Sequence, residues 1–225
     1  MTTYYAKKLS GERLKRVYDI ATPRVRQYLD AEALYVSGKI CPGDRVLDVG
    51  CGYGRIMPEL YTRTNRVTGI DISRENIRYG MENGYAGYNP ECNLIVMDAI
   101  KMHFPDHLFD VVFCIQNGIC AFNVDQTSLI KECVRVTRRG GITIFTSYSP
   151  KFWKHRLEWF ELQAKEGLLG EIDDEKTGNG VIVCRDGFRA GFMTPVKFDE
   201  ITSSMKIKTS AVEVDESFLA FELFP

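Results

Sequence analysis

Val46-Leu47-Asp48-Val49-Gly50-Cys51-Gly52-Tyr53-Gly54-Arg55 reads as a buried strand that breaks into a glycine-rich turn and then opens a helix. Glycines at alternating positions leave no side chains between a ligand and the backbone amides. Asp71 stands at the end of the next apolar stretch, where a carboxylate can accept both hydroxyls of a ribose. Together the bend and the carboxylate predict an adenosine-bearing ligand at the top of a parallel sheet.

Outward from that stretch, strands and helices alternate. Upstream, Ser10 precedes apolar residues at Leu14, Val17, Tyr18 and Ala21, a helical spacing. Thr22-Pro23 then starts a second helix carrying Val25, Tyr28, Leu29, Ala33 and Val36, with Gly38 to end it. Downstream, strands are predicted over Arg45–Val49, Arg66–Ile70, Asn93–Met97, Phe109–Ile115 and Ile142–Tyr148, with helices near Arg55–Tyr61, Ser73–Gly84 and Gln126–Val136 between them. Mostly apolar strands separated by helices imply a parallel sheet covered on both faces. After Ser149 come an aromatic helix over Phe152–Glu166, a hairpin about Arg185-Asp186-Gly187, a helix opening at Thr194-Pro195, and strands over Lys206–Val214 and Phe218–Phe224. The expected fold is α/β: a Rossmann-like doubly wound seven-stranded sheet, mostly parallel with an antiparallel C-terminal strand. A single domain, 1–225, would comprise an N-terminal helical lid (1–39), a core (40–148), a cap insertion (150–193) and a C-terminal helix with strands (194–225).

The chain has 225 residues, 44% of them hydrophobic, enough for one large core without disulfides or a structural metal. Lys and Arg number 29 against 30 Asp and Glu, without a basic block, so no nucleic-acid partner is expected. No apolar run approaches the ~20 residues that cross a bilayer, and Met1–Lys8 lacks the apolar core of a secretion signal; no membrane association is expected. The seven cysteines form no Cys-x-x-Cys pair, which argues against a disulfide framework and against any metal site, and predicts reduced thiols in a cytoplasmic protein.

The motifs VLDVGCGYGR (46–55), VTGIDIS (67–73), NLIVMDAIKM (93–102), FDVVFCIQNGI (109–119) and GGITIFTS (140–147), in this order, resemble the class I S-adenosylmethionine-dependent methyltransferases across 40–148. The resemblance implies S-adenosyl-L-methionine as cofactor. Gly50, Cys51, Gly52 and Gly54 would approach its methionine portion, while Asp48 orients the loop and reaches the ammonium through water. Asp71 would take the ribose, Ile72 an adenine face, Asp98 and Ala99 the adenine edge, and Gln116 would sit beside the sulfonium. A dinucleotide fingerprint wants a third glycine where Arg55 stands.

Methyl transfer needs placement more than side-chain chemistry, and a base only when the acceptor arrives protonated. The catalytic residue is therefore unassigned, with Gln116, Asn117 and His155 as candidates; His155 also fits a packed or surface position on its aromatic helix. A tyrosine and an arginine of the N-terminal segment, Tyr5 and Arg24, could hold the methionine carboxylate, and ordinary helix packing remains open for both. The aromatics Phe152, Trp153, Trp159, Phe160, Phe188 and Phe192 could line an acceptor pocket or knit the insertion to the core. The expected partner is a small-molecule methyl acceptor; a protein or tRNA acceptor and a non-catalytic S-adenosylmethionine-binding regulator are the alternatives. Oligomeric state is not legible.

Overall fold

The computed structural model describes residues 4, 8–86 and 93–225. Two helices lead in. The first, α1 (Glu12–Asp19), follows Gly11, whose left-handed backbone turns its N–H onto Asn76 Oδ1 at 2.8 Å. The second, α2 (Pro23–Ser37), starts as expected, Thr22 capping Val25 N with proline in the first turn. Then follow β1 (Val46–Val49), α3 (Met57–Tyr61), β2 (Val67–Asp71), α4 (Arg74–Glu82), β3 (Asn93–Val96), β4 (Phe109–Cys114), α5 (Gly118–Ala121), α6 (Gln126–Val136) and β5 (Thr137–Tyr148). The chain finishes with α7 (Trp153–Lys165), β6 (Ile182–Val183), β7 (Arg189–Ala190), α8 (Pro195–Thr202), β8 (Lys208–Val214) and β9 (Phe218–Phe224).

The seven-stranded sheet has the order β3-β2-β1-β4-β5-β9-β8. β1 to β5 pair in parallel, and β9 runs against both its neighbours. The order reverses at β1: every residue of it is buried, and its neighbours β2 and β4 lie on opposite sides. That reversal of strand order opens a crevice at the carboxyl ends, where doubly wound sheets hold their ligands.

Two details differ from the sequence expectation. β5 starts at Thr137, not Ile142, because Thr137 pairs with Phe109 before a register shift. Gly140 takes a positive φ in that irregular stretch, and its N–H donates to the Pro225 carbonyl. A short α5 also follows β4, created by two consecutive left-handed residues, Gln116 and Asn117, that stop the strand.

Apolar clusters cover both faces of the sheet. A third cluster joins the N-terminal helices to the insertion: Tyr28, Phe152, Trp159, Phe188 and Phe218 are all buried in it. Each such side chain contributes roughly 1.5–3 kcal/mol, so α1, α2 and the 150–193 segment are one packed layer over the sheet edge. Among the described residues, no helix is long and apolar enough to cross a membrane.

Candidate active site at the strand tips

The glycine loop is made by main-chain chemistry. Gly50 and Cys51 both donate their N–H groups to the Ile70 carbonyl, at 2.8 and 2.9 Å, which bends the chain sharply off β1. Gly50, Cys51 and Gly52 border a cavity; Gly54 does not. A Cβ on Gly50 would strike the Phe122 ring at 2.1 Å, whereas one on Gly54 would meet Met57, Tyr85 and Leu94. Gly54 therefore lets the loop close onto α3 and β3, a packing role in place of the ligand approach expected of it.

The Asp71 carboxylate at the tip of β2 is fixed by three donors: Gly52 N at 3.0 Å, Ser73 N at 2.7 Å and Asn76 Nδ2 at 3.2 Å. Burial raises its pKa, and these hydrogen bonds oppose the shift. A carboxylate accepts about four hydrogen bonds, so capacity remains toward the cavity it lines. Next to it, Ile72 is 46% exposed although it borders the same cavity, an apolar surface offered to a ring. Asp98 and Ala99, past β3, border it too, with Asp98 Oδ1 accepting from Ile100 N.

Asp48 lies 2% exposed on β1. Burial pushes its pKa up to about 8; Arg55 pulls it down, and the carboxylates of Asp71 and Glu32 push it further up. No hydrogen bond reaches its side chain among the described residues, so it faces the cavity without bracing the loop. Arg55 was read in the sequence only as a misfit to a dinucleotide loop. Its guanidinium lies over the Tyr18 ring at 4.8 Å, and its Nη2 is buried without a hydrogen-bond partner among the described residues. A buried guanidinium nitrogen left unpaired is costly, and it fits a carboxylate of a bound ligand.

Arg24, the arginine expected there, is elsewhere. It pairs with the Asp215 side chain at 2.8 Å and main chain at 2.6 Å, stacked over Phe152, because α2 turns that face toward the β8–β9 turn. Tyr5 lies outside the described residues, as does Cys92. Tyr4, its neighbour, donates to Asp186 Oδ2 at 2.6 Å in the hairpin turn.

The three catalytic candidates separate. Gln116 borders the cavity at the end of β4, its amide committed to Glu32 Oε2 at 2.5 Å and Tyr28 Oη at 3.2 Å. Asn117 is 2% exposed and works as a brace, donating to the Gly191 carbonyl and accepting from Ser147 Oγ. His155 is on the outer side of α7, against Phe152 and 4.0 Å from Glu158, outside the cavity. It is in no position to take a proton from a bound acceptor.

Glu32 is the residue the sequence reading missed. It is fully buried on α2 and accepts from Gln116 N, Gln116 Nε2, Tyr28 Oη and Thr146 Oγ1. Burial raises its pKa, and the bonds from Gln116 and Thr146 lower it. The signal was present: Glu32 stands four residues after Tyr28, inside the apolar stripe of its helix.

Asp48, Arg55, Asp71, Asp98 and Gln116 share one cavity of about 430 Å³, a volume typical of small-molecule sites. It runs past the tips of β3, β2, β1, β4 and β5 and is roofed by Leu9, Val17 and Tyr18 on one side and Trp159, Phe160 and Gln163 on the other. Of the insertion's aromatics, Trp159 and Phe160 line it; Phe152, Trp153, Phe188 and Phe192 do not.

Residues 46–141 match a family model described as a methyltransferase domain. The cycloartenol-C-24-methyltransferase of Arabidopsis thaliana is 39% identical over 103 residues, 45% of this chain and 30% of that protein. A phosphatidylethanolamine N-methyltransferase of Cereibacter sphaeroides is 35% identical over 107 residues, 47% of this chain and 51% of that one. The chain thus spans between about a third and a half of these two curated relatives. Among solved structures, the PH0226 protein of Pyrococcus horikoshii OT3 shares the fold with a TM-score of 0.65 at 22% identity, over 92% of this chain and 94% of that one.

Proposed function

Because the chain has the class I S-adenosylmethionine-dependent methyltransferase fold, we propose that it is an enzyme carrying the methyl group of S-adenosylmethionine to a small-molecule acceptor. The observation that carries this reading is the single roofed cavity joining the Asp71 tip of β2 to the Tyr148 tip of β5. One end suits an adenosine and the other is lined by aromatic side chains, which favours a small acceptor.

In this reading Asp71 holds the ribose, Ile72 covers an adenine face, and Asp98 with Ala99 meets the adenine edge. The Gly50–Gly52 main chain follows the methionine portion, whose carboxylate Arg55 receives and whose ammonium Asp48 faces. The cofactor supplies a methyl group already activated on a sulfonium. The chain's own contribution is placement and the exclusion of water by the α1 and α7 side chains. Holding reactants in near-attack geometry provides up to ~7–11 kcal/mol. Residues 1–39 act as lid, 40–148 as cofactor-binding core, 150–193 as cap, and 194–225 completes the sheet. Both curated relatives are named for lipid-like acceptors, a direction that the apolar roof also supports. The six described cysteines are unpaired, which supports a reducing, cytoplasmic setting.

Calorimetry tests the reading. S-adenosylmethionine should bind the wild-type protein, and Asp71→Ala should weaken it at least tenfold, since hydrogen bonds to a charged group are worth roughly 1.5–3 kcal/mol. Release of S-adenosylhomocysteine across small acceptors should follow. Binding without release for any of them would make the protein a sensor, and unchanged affinity in Asp71→Ala would remove the ribose assignment.

A further inference from the structure

The two ends of the cavity differ in chemistry. Toward β1, β2 and β3 the lining is acidic, through Asp48, Asp71 and Asp98. Beyond Tyr148, where α7 and the N-terminal segment meet, it is apolar, with Leu9, Val17, Trp159 and Phe160. Among the described lining residues at this second end there is no histidine, lysine or carboxylate. The ionisable groups facing it are Tyr18 from α1, Tyr53 and Arg55 from the glycine loop, and Tyr148 from β5. Burial raises all three phenols above the usual tyrosine range, so none serves as a base near neutral pH.

The Trp159 indole N–H donates to the Val17 carbonyl at 3.0 Å. Gln163, from the last turn of α7, lines the cavity, is 3% exposed, and its side-chain amide makes no hydrogen bond among the described residues. Buried amides are almost always paired, so this one points to a ligand. Behind the wall, the buried Arg156 guanidinium stacks on Tyr148 at 4.3 Å and donates to the carbonyls of Gly180, Ala190 and Gly191. Its charge acts through apolar surroundings, where screening is weak.

We propose that this end is the acceptor subsite and that it takes a small apolar weak acid, a thiol or phenol on an aromatic ring, as its anion, with the Gln163 amide donating to the acceptor's polar atom. The inference rests on the methyl-transfer reading above. The acceptor leaves its proton in water before it binds. Its lone pair forms the bond to the methyl carbon as the carbon–sulfur bond breaks, and that electron pair stays on sulfur. An anion and a sulfonium give two neutral products, a change in charge that an apolar site favours. No protein base is required.

The test starts with protein saturated with S-adenosylhomocysteine, so that no turnover intrudes. Failure of this loading would overturn the methyl-transfer reading itself, separately from the acceptor proposal. Thiophenol, a nitrophenol and benzylamine are then titrated in, followed by tryptophan fluorescence in a Trp153→Phe background and by the thiolate or phenolate absorption band. Thiophenol and the nitrophenol should bind with their anion bands present, and benzylamine at least tenfold more weakly. Gln163→Leu should weaken the anions about tenfold, the equivalent of one lost charge-assisted hydrogen bond, with S-adenosylhomocysteine affinity unchanged. Gln163→Glu, which keeps the side chain's size, should reverse the preference toward benzylamine. In turnover, kcat/KM should rise with pH through the acceptor's own pKa and move when the acceptor is changed. With S-adenosylmethionine saturating at every pH, so that the ionisation of Asp48 on cofactor binding is complete, a pH inflection common to every acceptor would reveal a protein base and overturn the proposal. So would anion affinity indifferent to both Gln163 variants.

Discussion

The Glu32 carboxylate holds Gln116 twice, accepting from its main-chain N–H at 3.0 Å and from its side-chain amide at 2.5 Å. Gln116 sits at φ 55, a conformation that costs a non-glycine residue of order 1–3 kcal/mol and persists only where its surroundings impose it. A buried acceptor on α2 thus sets the backbone at the tip of β4, between the two ends of the cavity.

Glu32→Gln should therefore be poorly tolerated. An amide nitrogen would face donors from Gln116 and Thr146, and a buried donor left unpaired costs about 1–3 kcal/mol. Urea denaturation should show that loss, whereas Thr146→Val, which removes one donor from an otherwise intact group, should cost less. Equal stability of Glu32→Gln and wild type would show that the network does not support the tip.

What could be read from the sequence divides along a physical line. The Asp71 tip and the Gly50 bend were legible because they are local: a carboxylate ends a strand, and a chain must turn where a side chain does not fit. Arg24 was misplaced because its partner, Asp215, is brought near only by the far edge of the sheet. Gly54 belongs to the same motif as Gly50 and faces the opposite way, which spacing alone does not reveal. Glu32 was passed over since charged residues are normally solvated. Its burial depends on donors from β4 and β5 that converge only in three dimensions.

Arg55 and Arg24 make a matched pair of controls. Arg55→Met keeps the aliphatic stem against Tyr18 and removes the buried guanidinium. S-adenosylmethionine should then bind roughly 10- to 100-fold more weakly, the loss expected for a charge-assisted hydrogen bond. Arg24→Met should leave that affinity unchanged and lower only stability, through the lost half-buried pair with Asp215. Calorimetry on both variants, with melting temperatures alongside, checks the assignment. The reverse pattern would return Arg24 to the ligand.

Asp48 supplies a pH dependence whose sign is fixed. Its pKa in the folded protein is about 8 against 3.8 for the free group, so between those values the folded state binds more protons than the unfolded one. Its contribution to stability is complete below about pH 4 and is lost as pH rises through about 8. Glu32 and Asp71 shift in the same direction, and comparison with Asp48→Asn removes their share. The ligand-free wild type should lose more melting temperature between pH 5 and 8 than Asp48→Asn does. A cationic ligand draws Asp48 into its charged form, so binding near pH 7 should release protons and make the calorimetric enthalpy depend on the buffer. That dependence should vanish in Asp48→Asn. A wild-type enthalpy indifferent to buffer, or parallel pH-melting curves for the two proteins, would show that Asp48 is already ionised in the empty cavity.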